Sequence, residues 1–543
     1  MSSHHSYDLC LRNGRVVDGG GGASFAGDVA LRGDRIAYVG PRAQGDAQLE
    51  VELDGAVVAP GFINMLSWAS ESLLLDGLAQ SDLRQGITLE VMGEGWSMGP
   101  HTPRTRAQFE AAQTDIRYPI EWTTLDEYLR LLERRGVAVN VASYVGAITL
   151  RQCVLGDDAV QPTAAQLDAM CELAEQAMRD GALGVASAIP YAPGSFAGAE
   201  ELRALAAVAG RNGGLYATHI RSESHTVLEA LDEAIAVARQ NQMPVHIYHL
   251  KSAGETYADR FSLLVDKIAQ ARCEGLAITA DMYCYTSAWA ALSIGLPPWA
   301  QAGGLGAFIQ RMGNAQTRAR VIAEIASAQT EWENYYQLAG ADQTLLLGFR
   351  TEQLKAHTGR TLAEVAALRG KSPEETLVDL VVEDQSPVLA AFNLVSEQQV
   401  SDKVRIPWIA FGSDASAPSC EGVFLASHPH PRAYGNVARL LGHYVRDEKL
   451  LPLEQAVHRL SGFAADTLGL RERGRLREGN FADVVVFDPA MVEAHSTFAQ
   501  PHQYATGVQQ VWVNGVWTLR DGKPTGACGG RVVRGPGADG GKR

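Results

Sequence analysis

Apolar and polar side chains alternate along residues 7–58. A period of two residues is typical of β-strands that bury one face. The pairs Asn13-Gly14 and Gly33-Asp34 interrupt the alternation, and both are sequences that favour tight reversals of the chain. The N-terminal region is therefore predicted to form short strands joined by turns.

The same alternation returns near the other end of the chain, along residues 482–525. Here Asn514-Gly515 stands between two runs rich in valine and tryptophan, which is the strongest short-range hairpin signal in the sequence. Each β segment is too small to bury a core by itself. We therefore predict one small β-sandwich domain built from residues 1–59 and 478–535.

Between these segments, apolar runs of strand length alternate with stretches in which apolar residues recur every three to four positions. The second pattern predicts amphipathic helices, and strand–helix repetition predicts a parallel sheet. So many repeats predict a closed (β/α)8 barrel of the TIM type over residues 60–477, with polar residues at the C-terminal strand ends sharing one mouth. The strand-like runs are GITLEVMG, VAVNVASYVGA, GALGVASAI, GLYATHI, PVHIYHL, LAITADMYCY and IPWIAFGSD.

One segment departs from this alternation. Residues 288–347 contain a stretch rich in proline and glycine, followed by a long helical pattern, so they are predicted to be an insertion within the barrel. Insertions of this kind often form lids over active sites. No run approaches the apolar length of about 18 residues that a membrane-spanning helix needs, and we expect no such helix.

Composition narrows the class of function. The 543-residue chain has a formal net charge of −15, so it lacks the basic field that attracts nucleic acid or an anionic membrane surface. Its seven cysteines are scattered and never paired as CxxC, which argues against disulfides and thiolate zinc sites. We expect a cytoplasmic protein with a small-molecule substrate, and the sequence leaves its oligomeric state open.

Two predicted barrel strands end in a histidine. The run GLYATHI places His219, and the run PVHIYHL places His249, at the end of a strand. Imidazoles on neighbouring rigid strands supply the nitrogen ligands that a zinc ion requires. A single histidine in such a position is more typical of a hydrogen-bonded core residue. His246, which faces the opposite way on a strand of period two, is predicted to be one.

Asp414 follows a further strand, in the sequence IPWIAFGSDAS. At the barrel mouth a carboxylate can take a proton from a water activated by the metal and pass it to a leaving amine. An aspartate after a strand also commonly caps the next helix or turn. The histidines at equivalent strand ends, His219 and His249, favour the catalytic interpretation.

Short motifs along nearly the whole chain resemble one enzyme family, in the expected order. They are similar to motifs of the D-aminoacylase (N-acyl-D-amino-acid deacylase) branch of the amidohydrolase superfamily. The resemblance implies a metal-bearing barrel, a small β-sandwich domain, an inserted lid and hydrolysis of the N-acyl group of a D-amino acid. The motifs are APGFIN, QGITLEVMGEG, DGALGVASAIPYAPGSFA, YATHIRSES, YHLKSAG, DMYCYTS, GSDAS, HPHPRAYGNVARLLGHYV and GRLREGNFADVVVFDP.

The resemblance also assigns roles to single positions. His219 and His249 match the histidines that hold the family's tightly bound zinc, and Asp414 matches the aspartate that acts on water. Four positions match residues that recognise the substrate carboxylate or polarise the scissile carbonyl: Lys251, Tyr191, Tyr283 and Arg432. The guanidinium of Arg432 suits a carboxylate because it can form two parallel hydrogen bonds with it. The sequence agrees equally with a surface ion pair for Arg432 and with simple packing for Tyr191 and Tyr283.

Two features depart from the family's pattern. The His-x-His pair of the first strand falls on Leu66 and Trp68, whose side chains cannot bind a divalent ion, so a second metal position is expected to be lost. The cysteine that completes the tight site in many relatives falls on Gly95, beside Glu94. Strand alternation does not turn Glu94 toward the metal, but a bulge at the glycines could do so.

We therefore predict a site for one zinc ion held by Glu94, His219 and His249, with Asp414 as general base and Trp68 as an apolar wall for the substrate. The predicted reaction is cleavage of the amide bond of an N-acyl-D-amino acid. Two alternatives stay open from the sequence. One is an enzyme of the same fold that opens a cyclic amide or lactone or transfers an acyl group, and the other is a catalytically silent binding protein.

Overall fold

The computed structural model describes residues 6–328 and 330–539. Across these ranges, nine strands from both ends of the chain form a single hydrogen-bonded sheet. Val57–Pro60 pairs with an N-terminal strand and with a C-terminal strand, which unites the two segments in one small β domain. The nine strands are Tyr7–Val16, Phe25–Arg32, Arg35–Gly40, Ala47–Glu52, Val57–Pro60, Val484–Phe487, Val508–Val513, Val516–Arg520 and Lys523–Pro524.

The turn at Asn514-Gly515 is the predicted hairpin, because both residues have positive φ, 49° and 78°, and the flanking strands pair directly. Asn13-Gly14, in contrast, does not reverse the chain. The strand continues through this pair, and its register with the neighbouring strand shifts between Leu11 and Gly14. With φ of 57°, Asn13 forms a β-bulge instead of a turn, so this prediction is wrong.

Parallel strands form the barrel in the order that the sequence predicted. The last strand returns to the first, where the Asp414 amide donates to Leu66 O at 2.8 Å and the Trp68 amide donates to Ala415 O at 2.9 Å. These bonds close the ring. Over the described residues the eight strand positions are Phe62–Ser67, Ile87–Met92, Asn140–Ser143 continued by Val145–Gly146, Gly184–Ala188, Leu215–His219, Val245–Ile247, Ile278–Met282 and Ile409–Phe411.

Helices connect the barrel strands. The helix Ala164–Asp180 is capped at Thr163, whose side chain and that of Gln166 cap each other's backbone reciprocally. It ends at Gly181, which has φ of 107°. None of the helices in the described ranges combines the length and the hydrophobicity that a bilayer-spanning helix needs. The other α-helices of the described residues are Ser72–Leu75, Gln80–Leu83, Pro103–Ala112, Leu125–Arg135, Ala147–Leu155, Ala199–Arg211, Val227–Asn241, Arg260–Cys273, Pro298–Gln301, Gly304–Met312, Ala315–Ile325, Tyr335–Ala339, Leu362–Arg369, Pro373–Asp384, Glu397–Val404, Arg432–Arg439, Leu453–Leu460 and Gly462–Thr467.

Apolar side chains fill the barrel below its mouth. Met65, Leu89, Ala142, Ala217 and Ala410 come from five different strands and are buried in one cluster. A packed interior of this kind leaves the strand ends as the place where polar groups can meet a substrate. The site is therefore restricted to the C-terminal mouth of the barrel.

A separate sheet of three strands is formed by the part of the chain that follows the seventh barrel strand and precedes the eighth. Ser287–Ala291 and Thr344–Gly348 each pair antiparallel with Leu389–Asn393. The sequence predicted an insertion over residues 288–347, whereas this sheet takes its central strand from beyond that range. The apolar run of the central strand has the same pattern as a barrel strand, which is why the sequence did not assign it to the insertion. The insertion is therefore longer than expected. The domain boundaries themselves stay a prediction.

Candidate metal centre

Three of the predicted site residues meet at the barrel mouth. Ligand atoms of Glu94, His219 and His249 all lie within 4.8 Å of one another. Glu94 Oε1 is 3.3 Å from His219 Nδ1 and 3.2 Å from His249 Nε2, and all three side chains are buried. We refer to these three residues as the metal cluster.

Glycines on either side turn Glu94 toward the histidines. The strand before it ends at Met92, and Gly93 and Gly95 have φ of 105° and 66°, a region that glycine populates without penalty. A Cβ atom at Gly93 would also lie only 2.5 Å from Tyr144 O. Strand alternation therefore stops before Glu94, and its carboxylate faces the mouth.

The two histidines are held in different ways. His219 is the last residue of its strand, whereas His249 lies beyond the strand that ends at Ile247 and has φ of 34°. The Asp281 carboxylate holds this strained backbone by accepting the His249 amide at 2.6 Å. Strain persists where surrounding contacts enforce it, and it is common at functional sites.

Glu223 completes the surroundings of the histidines, and the sequence reasoning gave it no role. Its Oε1 lies 3.0 Å from His249 Nδ1 and accepts the Lys251 ammonium at 2.6 Å. The Lys251 ammonium lies 2.9 Å from the same Nδ1. The Glu223 carboxylate favours a proton on Nδ1, which leaves Nε2 free for a metal. The signal that could have identified Glu223 is its place in the loop that follows strand-end His219.

A tyrosine of the predicted insertion reaches the same carboxylate. Tyr335, at the start of the helix Tyr335–Ala339, donates to Glu223 Oε2 at 2.7 Å, and its hydroxyl lies 3.3 Å from His219 Nε2. No local pattern singles out this residue, and the sequence reasoning missed it. The segment thus contributes directly to the wall around the metal cluster.

Asp414 leaves the last barrel strand with φ of 49°. Its Oδ2 pairs with Arg432 Nη2 at 2.7 Å, and Arg432 also donates to the Asp414 carbonyl. Burial raises the pKa of Asp414, and the charge of Arg432 opposes that shift. Arg432 is fully buried, so the alternative of a surface ion pair is wrong. Among the groups that the structure describes, its Nε and Nη1 have no hydrogen-bond partner.

Trp68 stands between the metal cluster and Asp414. Its indole N–H donates to Glu94 Oε2 and to Asp414 Oδ1, each at 3.1 Å. Leu66, on the preceding strand, is buried. The side predicted to be an apolar wall therefore also carries one polar atom that faces both carboxylates.

Tyr191 and Tyr283 place their rings beside the metal cluster. The Tyr191 ring lies edge-on to His219 with 5.4 Å between centroids, and the Tyr283 ring is 6.2 Å from that of His249. The Arg432 guanidinium lies 4.3 Å from the centroid of the Tyr283 ring. Both tyrosines thus lie at the mouth, where ring packing alone accounts for their positions.

His246 is separate from the metal cluster. Its Nε2 is 2.9 Å from Asp281 Oδ2, and its Nδ1 is 2.8 Å from Thr279 Oγ1. Both ring nitrogens are therefore used by neighbouring strands of the barrel, which is the structural position predicted from strand alternation.

Burial and neighbouring charges shift the pKa values of Glu94 and His249. Burial opposes ionisation of Glu94, but the close approach of His219 and His249 outweighs burial and lowers the pKa of its carboxyl. Burial and the Lys251 charge oppose protonation of His249, yet Glu223 and Glu94 raise its pKa to about 9. A metal that binds here must therefore displace a proton from His249.

The donor set of the metal cluster fits a divalent cation. His219 Nδ1 is buried and, within the described residues, has no hydrogen-bond partner, although it faces Glu94 Oε1. Two imidazole nitrogens and one carboxylate oxygen directed at one point are the protein ligands of a class of catalytic zinc sites. A cation in this position would also compensate the buried charge of Glu94.

Residues 49–518 match the model of the Amidohydrolase family, and the chain belongs to this family. The chain is also 32% identical to a D-aminoacylase from Alcaligenes xylosoxydans xylosoxydans over 537 residues, which cover 98% of this chain and 99% of that protein. The family membership inferred from the motifs is thereby confirmed.

Two solved structures are similar over nearly the whole chain. One is a D-aminoacylase structure that addresses the functional role of the enzyme's binuclear metal centre. Its TM-score is 0.81 at 30% identity, and the match covers 97% of this chain and 100% of that one. An N-acyl-D-glutamate deacylase from Bordetella bronchiseptica, complexed with zinc and a phosphonate mimic of the tetrahedral intermediate, has a TM-score of 0.78 at 27% identity, covering 97% and 99%. The predicted fold class, an amidohydrolase barrel with an additional sheet domain, is confirmed.

Proposed function

We propose that this protein is a zinc-dependent hydrolase that cleaves the amide bond of an N-acyl-D-amino acid. The observation that carries the proposal is the convergence of Glu94, His219 and His249 beside Asp414 at the mouth of an amidohydrolase barrel. Relatives that align over nearly their whole length are named D-aminoacylase and N-acyl-D-aspartate deacylase, and the substrate class is taken from these names.

Glu94, His219 and His249 would hold one ion through Oε1, Nδ1 and Nε2. When bound, a divalent cation supplies Lewis-acid activation of water and of the scissile carbonyl. Leu66 and Trp68 offer no metal-binding atom, which supports one ion instead of two. The zinc assignment is supported by the two-imidazole, one-carboxylate donor set.

Asp414 acts first as the general base and then as the general acid. Arg432 holds its Oδ2, so Oδ1 is the oxygen that faces the metal cluster. There Asp414 accepts a proton from the attacking water and later delivers it to the nitrogen of the departing amine. The upward shift of its pKa by burial favours the first of these transfers.

Unpaired donors near the general base would recognise the substrate carboxylate. Two nitrogens of Arg432, Nε and Nη1, have no partner in the described part of the chain, and their N–H groups can donate to a substrate carboxylate. Tyr283 supports this guanidinium with its ring, while Lys251 retains donor capacity beyond its pairing with a glutamate. Tyr191 and Trp68 add aromatic surface for the acyl group or the side chain.

The test is amine release from purified, zinc-loaded protein. N-Acetyl derivatives of neutral, acidic and basic D-amino acids are assayed beside their L enantiomers. We expect release from a D substrate, and at matched zinc content a rate at least ~100-fold lower in Asp414→Asn. Zinc-loaded protein that releases amine from none of the D substrates would contradict the proposal, and a preference for L substrates would overturn the stereochemical assignment.

Elemental analysis of protein purified without chelator tests the number of ions. We expect about one zinc per chain, and a second ion in the double variant Leu66→His/Trp68→His, because two imidazoles then face the site. Two ions in the wild-type protein would show that the one-ion assignment is wrong. A trace of zinc, with no gain in thermal stability when zinc is added, would favour a silent binding protein.

A further inference from the structure

Trp68 lies between two buried carboxylates, and the mechanism above gives its indole N–H no task. Glu94 directs Oε1 at the imidazoles, and Asp414 directs Oδ2 at Arg432. The remaining oxygens, Glu94 Oε2 and Asp414 Oδ1, both accept from Trp68 Nε1 at 3.1 Å. A single N–H group thus joins the metal cluster to the general base.

Backbone bonds and neighbouring rings hold this bridge in place. The amides of Trp68 and Asp414 take part in the bonds that close the barrel, at 2.9 Å and 2.8 Å. The rings of Trp96 and Trp289 each lie 6.4 Å from the indole, at angles of 50° and 74°. A donor supported on both sides in this way is already oriented before any ligand binds.

An indole N–H placed between two carboxylates acts differently from a metal ion placed between them. Two carboxylates that face each other in a buried site repel, and a positive charge or a donor between them relieves the repulsion. The indole of Trp68 has one donor and no acceptor, so it relieves the repulsion without binding a metal itself. It also engages the two oxygens, on Glu94 and Asp414, that a bridging cation would need.

We propose that Trp68 is a positioning residue whose N–H holds Glu94 as a single-oxygen ligand and aims Asp414 Oδ1 at the metal cluster. The kinetic part of this inference rests on the proposed function. The part that concerns Glu94 rests on the geometry of the chain and can be measured without a substrate.

Three variants separate the donor from the ring. Trp68→Phe removes the N–H and keeps an aromatic ring, whereas Trp68→Gln keeps an N–H and removes the ring. Trp289→Phe is the matched control, because Trp289 contacts Trp68 while the carboxylates of Glu94 and Asp414 take their hydrogen bonds from other groups.

The kinetic expectation is a loss in kcat with little change in KM. In zinc-loaded protein we expect kcat to fall about 30-fold in Trp68→Phe, the effect of losing one N–H donor that two charged acceptors share. KM of Trp68→Phe should stay within about threefold of the wild-type value. Trp68→Gln should recover part of the lost kcat, and Trp289→Phe should keep kcat within about twofold, because only Trp68→Phe lacks the N–H donor.

Metal binding gives a readout that needs no turnover. In Trp68→Phe the released Oε2 of Glu94 can join Oε1 on the ion, so the visible absorption of Co²⁺-substituted protein should weaken as the coordination number rises. Because Glu94 is then no longer oriented by a hydrogen-bond donor, and this loss outweighs the extra oxygen ligand, zinc affinity measured by competition with a chelator should fall about 10-fold in this variant. Trp289→Phe should match the wild-type protein in both measurements.

Equal losses of kcat in Trp68→Phe and Trp289→Phe would overturn the proposal, because ring packing would then explain the effect. An unchanged Co²⁺ spectrum and zinc affinity in Trp68→Phe would overturn it as well. Should that variant not fold, Trp68→Gln decides, since wild-type-like zinc affinity without the ring supports the donor and a 10-fold loss does not. If the wild-type enzyme hydrolyses no N-acyl-D-amino acid, the proposed function fails, and the two metal measurements still decide the role of Trp68.

Discussion

Two buried polar clusters of this protein differ in how completely they satisfy their own hydrogen bonds. The junction cluster, which joins the small β domain to the barrel, consists of Asn140, Arg473, Asp483 and Asn514. Asp483 accepts from the Asn140 side chain at 3.2 Å, from the Asn514 amide at 2.8 Å and from Arg473. Asn514 in turn accepts from Arg473 at 2.9 Å and donates to Asn140 at 2.7 Å. The network therefore closes on itself.

The metal cluster and its surroundings leave such bonds open. Over the residues that the structure describes, His219 Nδ1 lacks a hydrogen-bond partner, and so do Nε and Nη1 of Arg432. The backbone is also left-handed at His249 and Asp414, with φ of 34° and 49°. Closed networks make a fold rigid and unique, whereas unpaired buried groups directed at one point are available to a ligand. This contrast separates a structural cluster from a functional one.

Removing Glu94 should disrupt the metal cluster most completely. In Glu94→Ala we expect zinc to fall from about one ion per chain to a trace and turnover to be lost, because only two of three donors remain. Elemental analysis and amine release measure both. Glu90→Gln is the matched control, since Glu90 is buried on the preceding strand and bonds to Asn64. Full zinc content and turnover in Glu94→Ala would show that the ligand assignment is wrong.

Replacing Asp414 should sharpen the contrast by separating proton transfer from ion binding. In Asp414→Asn we expect kcat to fall about 1,000-fold, which is roughly 4 kcal/mol of activation free energy. Zinc content should stay the same, and KM should change only a few-fold, because the metal cluster is untouched. Steady-state kinetics at matched zinc content check this. A joint loss of kcat and of zinc would indicate damage to the metal cluster instead.

Breaking the junction cluster should affect stability and not metal binding. In Asp483→Ala we expect the free energy of unfolding to fall by about 3 kcal/mol, because Arg473 is left buried without its carboxylate partner. Denaturant titration measures the loss. The surface pair of Asp34 and Arg531 provides the control, since Asp34→Ala should cost less than about 1 kcal/mol. Similar losses of unfolding free energy in Asp483→Ala and Asp34→Ala would show that the junction cluster stabilises the fold no more than a surface ion pair does.

Glu223→Gln should weaken metal binding less than Glu94→Ala does. Without the carboxylate at Nδ1, His249 is no longer held in the tautomer that binds a metal through Nε2, and zinc affinity should fall about 10- to 100-fold. Competition with a chelator measures the change. Glu233→Gln, which loses only a half-exposed pair with Arg221, should leave zinc affinity unchanged. Wild-type affinity in Glu223→Gln would mean that the carboxylate does not tune the histidine.

Most of the fold could be predicted because its signals are local. Strand–helix alternation predicted the barrel, and Asn514-Gly515 predicted a hairpin, since periodicity and turn chemistry act over a few residues. Asn13-Gly14 marks the limit of that approach. The same type of pair forms a bulge there, because the neighbouring strand continues to pair on both sides of it.

The candidate site was predictable only in part. Strand-end positions pointed to His219 and His249, but Glu223 and Tyr335 are separated by 112 positions, and Trp68 and Asp414 by 346. No spacing rule connects side chains over such distances. Their contacts arise because different strands and the inserted segment converge on one mouth.

The alternation of barrel strands and helices, the histidines that follow two successive strands and the lack of imidazoles at Leu66 and Trp68 could all be inferred from the sequence. These features depend on residue identity and local period. The direction of Glu94 toward the histidines, and the donation of Trp68 to two carboxylates at once, follow from how the folded chain brings distant segments together. The direction of a side chain beyond a strand end depends on what the rest of the fold places beside it.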